Sequence, residues 1–217
     1  MTDSASSTHL VLVRHGEAEC NAREVIGGHG GCTGLSPLGV AQAEALRDRW
    51  EATGEMREAT ALYASVLPRA IQTAEIIAPA LGDLPITAEC DLCEMHPGEC
   101  DGMTWVDFAR TYPTPDFSLE PDRPLSPGGE SWSEFQQRVD TSLRALADRH
   151  EGETVVVACH GGVINSSLVA LGFAKPQVRL DLRTLNSSIT EWEREGDRWR
   201  LLRYNDSAHL ARVAALD

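Results

Sequence analysis

Apolar and polar positions along this chain switch between two periods, and each switch marks an expected element. "HLVLV" (9–13) is a short apolar run with β-branched residues, which predicts a buried strand. Ser36 and Pro37 then supply an N-cap and a first helical position, and Leu38, Ala41, Ala45 and Leu46 keep one face apolar. "ALYAS" (61–65) predicts a second strand, with a helix from about Pro68 whose stripe is Ala70, Ala74, Ile77, Ala78 and Leu81 and whose stop is Gly82. Residues 86–92 read as a third strand. The segment 96–129 carries six prolines and little periodicity, so only a short helix near 104–111 is expected there.

Residues 130–150 predict a long helix opened by a capping box of Ser131 and Glu134, with Phe135, Val139, Leu143 and Leu146 toward the core. "TVVVAC" (154–159) is the most strand-like stretch, followed by a helix that stops at Gly172. "SITEWERE" and "RWRLLRY" flank Gly196-Asp197, a hairpin signal. Strands alternating with helices predict an α/β fold with a mostly parallel sheet and an antiparallel edge hairpin. The length of 217 residues fits a single domain over 1–217, with tails expected at 1–8 and about 208–217.

Charge narrows the partners. A formal net charge of −14 argues against a nucleic-acid binder and against adhesion to an anionic membrane surface. The polar start "MTDSASSTH" lacks an apolar core segment, no run approaches a bilayer span, and six cysteines are too few for a disulfide scaffold. A cytoplasmic, reduced protein is the expectation.

The chemistry-bearing residues fall at one kind of position. Strand 9–13 ends in Arg14 and His15, and Arg69 sits in the first helical turn after strand 61–65. Glu94 follows the strand near 86–92, and His160 with Gly161 follows strand 154–159. Strand C-termini of a parallel sheet share one edge, and ligands bind in the crevice outside it. Each residue alone is ordinary; their common placement predicts a basic pocket in an acidic protein. Arginine forks suit phosphate oxygens, and a helix opening at Gly161 adds its N–H groups and dipole. A neutral imidazole can accept a phosphoryl group, while a carboxylic acid protonates the leaving oxygen and then activates water.

These residues sit in blocks that resemble the histidine phosphatase superfamily, which includes the phosphoglycerate mutases. The blocks are "LVRHGEAECN", "TGLSPLGVAQA", "ASVLPRAIQTA", "LCEMHPGECDGMTW", "SPGGES", "VVVACHGGVI", "NSSIT" and "NDSAHL", in family order over nearly the whole chain. The resemblance implies a three-layer α/β/α sandwich. It makes His15 the phosphorylated nucleophile, Glu94 the acid and later base, and Arg14, Arg69 and His160 the grip on the phosphoryl group. It also implies phosphate or substrate contacts for Asn21, Thr33, Gly34 and Gly161.

"CDLCEMHPGEC" (90–100) permits two readings, a zinc knuckle of Cys90, Cys93, His96 and Cys100 or a catalytic loop around Glu94. The resemblance favours the loop, and the spacing lacks a second distant ligand pair, so neither metal nor cofactor is expected. Five cysteines adjoin motif residues, and Cys32, Cys93 or Cys100 is expected at the pocket rim if any thiol is redox-active. The expected activity is metal-independent hydrolysis of a small phosphomonoester. A cofactor-dependent mutase and a non-catalytic phospho-ligand module are the alternatives. Expected partners are a small phosphorylated metabolite, neither nucleic acid nor membrane, with a homodimer left open. Retention of both nucleophile and acid counts against the module. Only Arg110 or Arg123 is available in the 96–129 segment to hold a second phosphate, which counts against the mutase.

Overall fold

A computed structural model describes residues 7–172 and 182–213. Six strands form one sheet in the order β3-β2-β4-β1-β5-β6: β1 (Thr8–Arg14), β2 (Ala59–Ser65), β3 (Ile86–Glu89), β4 (Thr154–Cys159), β5 (Ile189–Glu195) and β6 (Arg198–Asp206). The first four run parallel to their neighbours, while β5 and β6 join antiparallel, with Gly196 turning their hairpin at φ +58°. The helices are α1 (Glu19–Ala22), α2 (Pro37–Thr53), α3 (Pro68–Ile77), α4 (Trp105–Thr111), α5 (Trp132–Arg149) and α6 (Gly161–Ala170).

Alternation along β1 and β4 builds two cores. Leu10, Leu12, Val155 and Val157 pack with α5 and α6 through Phe135, Leu143 and Ile164. Val11, Val13, Val156 and Ala158 pack on the other face with α2 and α3 through Leu46, Trp50, Ala74 and Ile77. Burying each large apolar side chain contributes about 1.5–3 kcal/mol, so the central strands anchor both helical layers. The three-layer α/β/α arrangement follows.

The caps fall where the sequence places them: Ser36 Oγ accepts from Gly39 N at 3.1 Å, and Ser131 and Glu134 close a capping box. Three expectations shift. The buried stripe of α2 is Gly39, Ala43, Leu46 and Trp50 rather than Leu38, Ala41 and Ala45. The helix meets the loop after β1 backbone to backbone, where a Cβ on Gly39 would stand 1.9 Å from Glu17 O, and this rotates its inward face. The third strand stops at Glu89, and Cys90–Leu92 forms a 3-10 turn instead. At the ends, Thr8 already pairs in β1, and Ala208–Arg212 forms a 3-10 turn with His209 Nε2 3.0 Å from Ser187 O. The outermost parts of the expected tails, 1–6 and 214–217, lie outside the described residues. No helix among the described residues is long and apolar enough to cross a membrane.

Candidate active site

The register Arg14↔Cys159 puts the ends of β1 and β4 side by side, so the next residues, His15 and His160, meet with ring centroids 5.1 Å apart. His15 is 3% exposed, Arg69 4% and His160 0%. The Nδ1 of His15 lies 2.6 Å from Gly16 O; a carbonyl only accepts, so Nδ1 carries the proton and Nε2 presents its lone pair. Arg69 Nε donates to that Nε2 at 3.1 Å, and Arg69 Nη1 donates to Gly27 O at 2.7 Å. Arg14 is anchored through Nη1 on Thr184 O, and Asn186 Nδ2 donates to His15 O at 3.0 Å.

Glu94 reaches across to α6. Its Oε2 accepts from Gly162 N at 2.9 Å and its Oε1 from Met95 N at 3.1 Å. A Cβ on Gly162 would lie 2.0 Å from Glu94 Oε1, so a side chain there would displace the carboxylate. The acid is thereby fixed at the N-terminus of the helix that begins beside His160.

Burial first, and then the positive charges of Arg69 and Arg14, hold the His15 imidazole well below its ordinary range. Burial, then Arg69, His15 and Arg14, do the same to His160, so both rings are neutral at pH 7. Burial also lowers Arg14, offset in part by Glu94. Both ring nitrogens of His160 and the Nε of Arg14 are buried without a hydrogen-bond partner among the described residues. Such groups are free to bind a polar ligand such as the oxygens of a phosphoryl group.

The cavity in front of this group has a volume of about 340 Å³. Arg14, His15, Arg69, Glu94 and Asn21 form its polar end. Met95, Pro97, Trp105, Phe117, Leu125 and Trp132 supply most of its apolar lining. No hydrophobic period marks this lining, because its aromatics lie in the irregular 96–129 segment and on the first turn of α5. Thr33 and Gly34, expected as substrate contacts, are not in the lining. Gly34 has φ +115°, and a Cβ on it would meet Gln72 Oε1 at 2.6 Å, so it serves the packing of α3 against this loop. Asn21 lines the cavity while its Oδ1 accepts from Ala18 N at 3.1 Å. Gly161 leaves room beside Arg14, whose Nε would lie 3.5 Å from a Cβ there.

A second hollow, of about 390 Å³, lies between Glu89, Asp91 and α5. It holds carboxylates and arginines but no histidine. The cysteines divide. Cys20 and Cys32 lie close to Arg69, and Cys32 is lowered by a hydrogen bond from Cys20 and by that guanidinium. None of Cys32, Cys93 and Cys100 lines the cavity: Cys32 and Cys93 are buried against Leu67, and Cys100 is buried against Ile26 and Phe108.

The buried neutral histidines predict a pH dependence of stability. In the unfolded chain a histidine takes up its proton near pH 6.5. The native rings do so only at lower pH, so the unfolded state binds more protons there and stability falls as pH drops below about 6.5. Each such ring contributes a slope of up to about 1.4 kcal/mol per pH unit until its native pKa is reached. Denaturant unfolding between about pH 6.5 and 5.5 should show a shallower slope in His160→Gln than in the parent. Equal slopes would contradict the depressed pKa of His160.

The comparisons agree with this geometry. A family model described as the histidine phosphatase superfamily (branch 1) matches residues 10–207. Phosphoglycerate mutase-like protein 4 of Arabidopsis thaliana is 31% identical over 219 residues, covering 99% of this chain and 92% of its own length. The metal-independent phosphoserine phosphatase of the same plant is 32% identical over 212 residues, covering 96% and 86%. Among solved structures, Bacillus stearothermophilus YhfR matches with a TM-score of 0.80 and 29% identity over 94% of this chain and 99% of its own. With the sheet edge, the paired imidazoles and the matched span in agreement, this chain belongs to the histidine phosphatase superfamily, branch 1.

Proposed function

We propose that the protein hydrolyses a small phosphomonoester through a phosphohistidine on His15. The observation that carries the choice of hydrolysis over a mutase is the charge distribution of the cavity. Among the described residues, Arg14 and Arg69 are the only Lys or Arg side chains in its lining, and Arg69 lies against His15; much of the remaining lining is apolar. Among the described residues of the lining, no cation stands with Trp105, Phe117 and Trp132 to meet a second anionic group. Arg110 pairs with Asp107 at 3.8 Å and Arg123 with Glu120 at 3.0 Å, and neither lines the cavity. Arg183 lies near enough to lower Arg14 but is exposed. A non-catalytic module has no use for a neutral imidazole lone pair and a carboxyl group in one pocket.

In the first step the Nε2 of His15 attacks phosphorus, the bond from phosphorus to the leaving oxygen breaks, and that oxygen takes a proton from Glu94. Arg14, Arg69, His160 and the N-terminus of α6 carry the charge on the equatorial oxygens, with Arg69 Nε passing from His15 to a phosphoryl oxygen. Water then attacks the phosphohistidine, Glu94 accepts its proton, and His15 leaves as the neutral ring. No step uses a metal ion, in keeping with the name of the phosphoserine phosphatase relative.

The experiment compares inorganic phosphate release with phosphoryl exchange. Alkyl and aryl monophosphates should release phosphate stoichiometrically. Primed with 2,3-bisphosphoglycerate, the protein should interconvert 2- and 3-phosphoglycerate more slowly than it hydrolyses the best monoester. Interconversion outpacing hydrolysis would assign the mutase reaction.

A further inference from the structure

We propose that His29, Cys90, Cys93 and His96 form a structural zinc site that clips the catalytic-acid loop to the glycine-rich wall of the pocket. One ligand atom from each of these four side chains lies within 4.8 Å of the others. The Cys93 and Cys90 sulfurs are 3.6 Å apart, and Cys90 Sγ is 3.8 Å from His29 Nε2 and 3.7 Å from His96 Nε2. Zinc bonds of about 2.3 Å to sulfur and about 2.0–2.1 Å to nitrogen give tetrahedral edges of about 3.8 Å for S–S and about 3.6 Å for S–N. The three edges that meet at Cys90 Sγ match these values, and the other three lie within 4.8 Å. Two thiolates and two imidazoles are the donor set that favours zinc over the harder magnesium and calcium.

The surroundings are those of a built site. Ser65 Oγ donates to Cys93 Sγ at 3.3 Å, which steadies a thiolate. The Nδ1 of His96 faces Glu130 Oε2 at 3.7 Å, leaving Nε2 for the metal, and Arg138 Nη2 fixes that carboxylate at 2.7 Å. His29 is brought in from 61 residues away by a clamp on its own loop. The carboxylate of Asp101 accepts from Gly28, Gly30 and Gly31 N at 2.8, 2.7 and 2.9 Å. Cys100, the fourth member of the linear knuckle pattern, instead donates to Pro97 O and takes no part.

On binding, Zn²⁺ displaces a proton from each of the Cys90 and Cys93 thiols, and the resulting site is neutral. Glu94 lies between two ligands in the chain, and the loop of the third carries Gly27, whose carbonyl holds Arg69. The ion therefore ties the general acid to the phosphate-binding arginine without touching the phosphoryl group. It acts on position, and the chemistry of His15 proceeds as above.

The test uses the full chain with thiols reduced. Native mass spectrometry after exposure to Zn²⁺ and desalting should find one ion per chain, with a dissociation constant below about 10⁻⁷ M. Co²⁺ in its place should give tetrahedral d–d bands and thiolate charge transfer. His29 and Cys90 are exposed, so H29A and C90S should fold. Each should weaken zinc binding by more than the ~10–100-fold that loss of an outer partner costs, while C100S leaves affinity unchanged. Zinc should raise the melting temperature of the parent but not of C90S. Failure of the reduced parent to bind zinc, or equal affinity in H29A, C90S and the parent, would overturn the site. Zinc is read here without turnover, so a chain that forms phosphohistidine yet binds no zinc defeats this proposal alone. A zinc-loaded chain that never becomes phosphorylated defeats the phosphatase reading alone.

Discussion

His15→Ala should lower phosphomonoester turnover by at least about 10⁴-fold, the scale on which removing a covalent nucleophile acts. The ring holds its lone pair in place through Nδ1–H on Gly16 O, and no other side chain at the polar end of the cavity offers an uncharged nucleophilic nitrogen. His160 is neutral too, but its ring is fully buried, and the mechanism gives it the phosphoryl oxygens to hold rather than phosphorus to attack. The assay is steady-state hydrolysis of an aryl phosphate by protein whose unfolding transition matches the parent. A variant retaining more than a few per cent of the parent rate would remove His15 from the nucleophile role.

Glu94→Gln should separate substrates by their leaving groups. The amide oxygen can still accept from Gly162 N, at the cost of the Met95 N contact, while the ionisable proton is lost. An alkyl leaving group needs that proton and should lose about 10²–10⁴-fold, whereas an aryl ester with a stable phenolate should lose far less. The measurement is kcat/KM across a series of graded leaving-group pKa, whose slope should steepen in the variant. Parallel losses along the whole series would assign Glu94 to binding or to loop structure.

The elements that carry the site were legible because strand ends are local features. Arg14, His15 and His160 follow apolar runs that can only be central strands, and a parallel sheet then brings them to one edge. The capping residues Ser36 and Ser131 were legible for the same reason, since the signal and the helix it starts are adjacent. What was hidden depends on contacts distant in sequence. The inward face of α2 follows from the Gly39 contact with the loop after β1, which no helical period encodes. The apolar lining is assembled from Trp105, Phe117 and Trp132, scattered through a segment with little pattern. The sequence offered Cys100 as the fourth member of a Cys90–Cys93–His96 knuckle, whereas the cluster in space takes His29, which sits on a loop placed by Asp101.

Trapping the phosphoenzyme tests the central claim most directly. Protein mixed for milliseconds with ³²P-labelled aryl phosphate and quenched in alkali should carry label that is stable to base and lost in acid. Peptide mapping should place it on His15, and its decay rate should match or exceed turnover. Label on another residue, or full turnover with no label at any quench time, would contradict catalysis through His15.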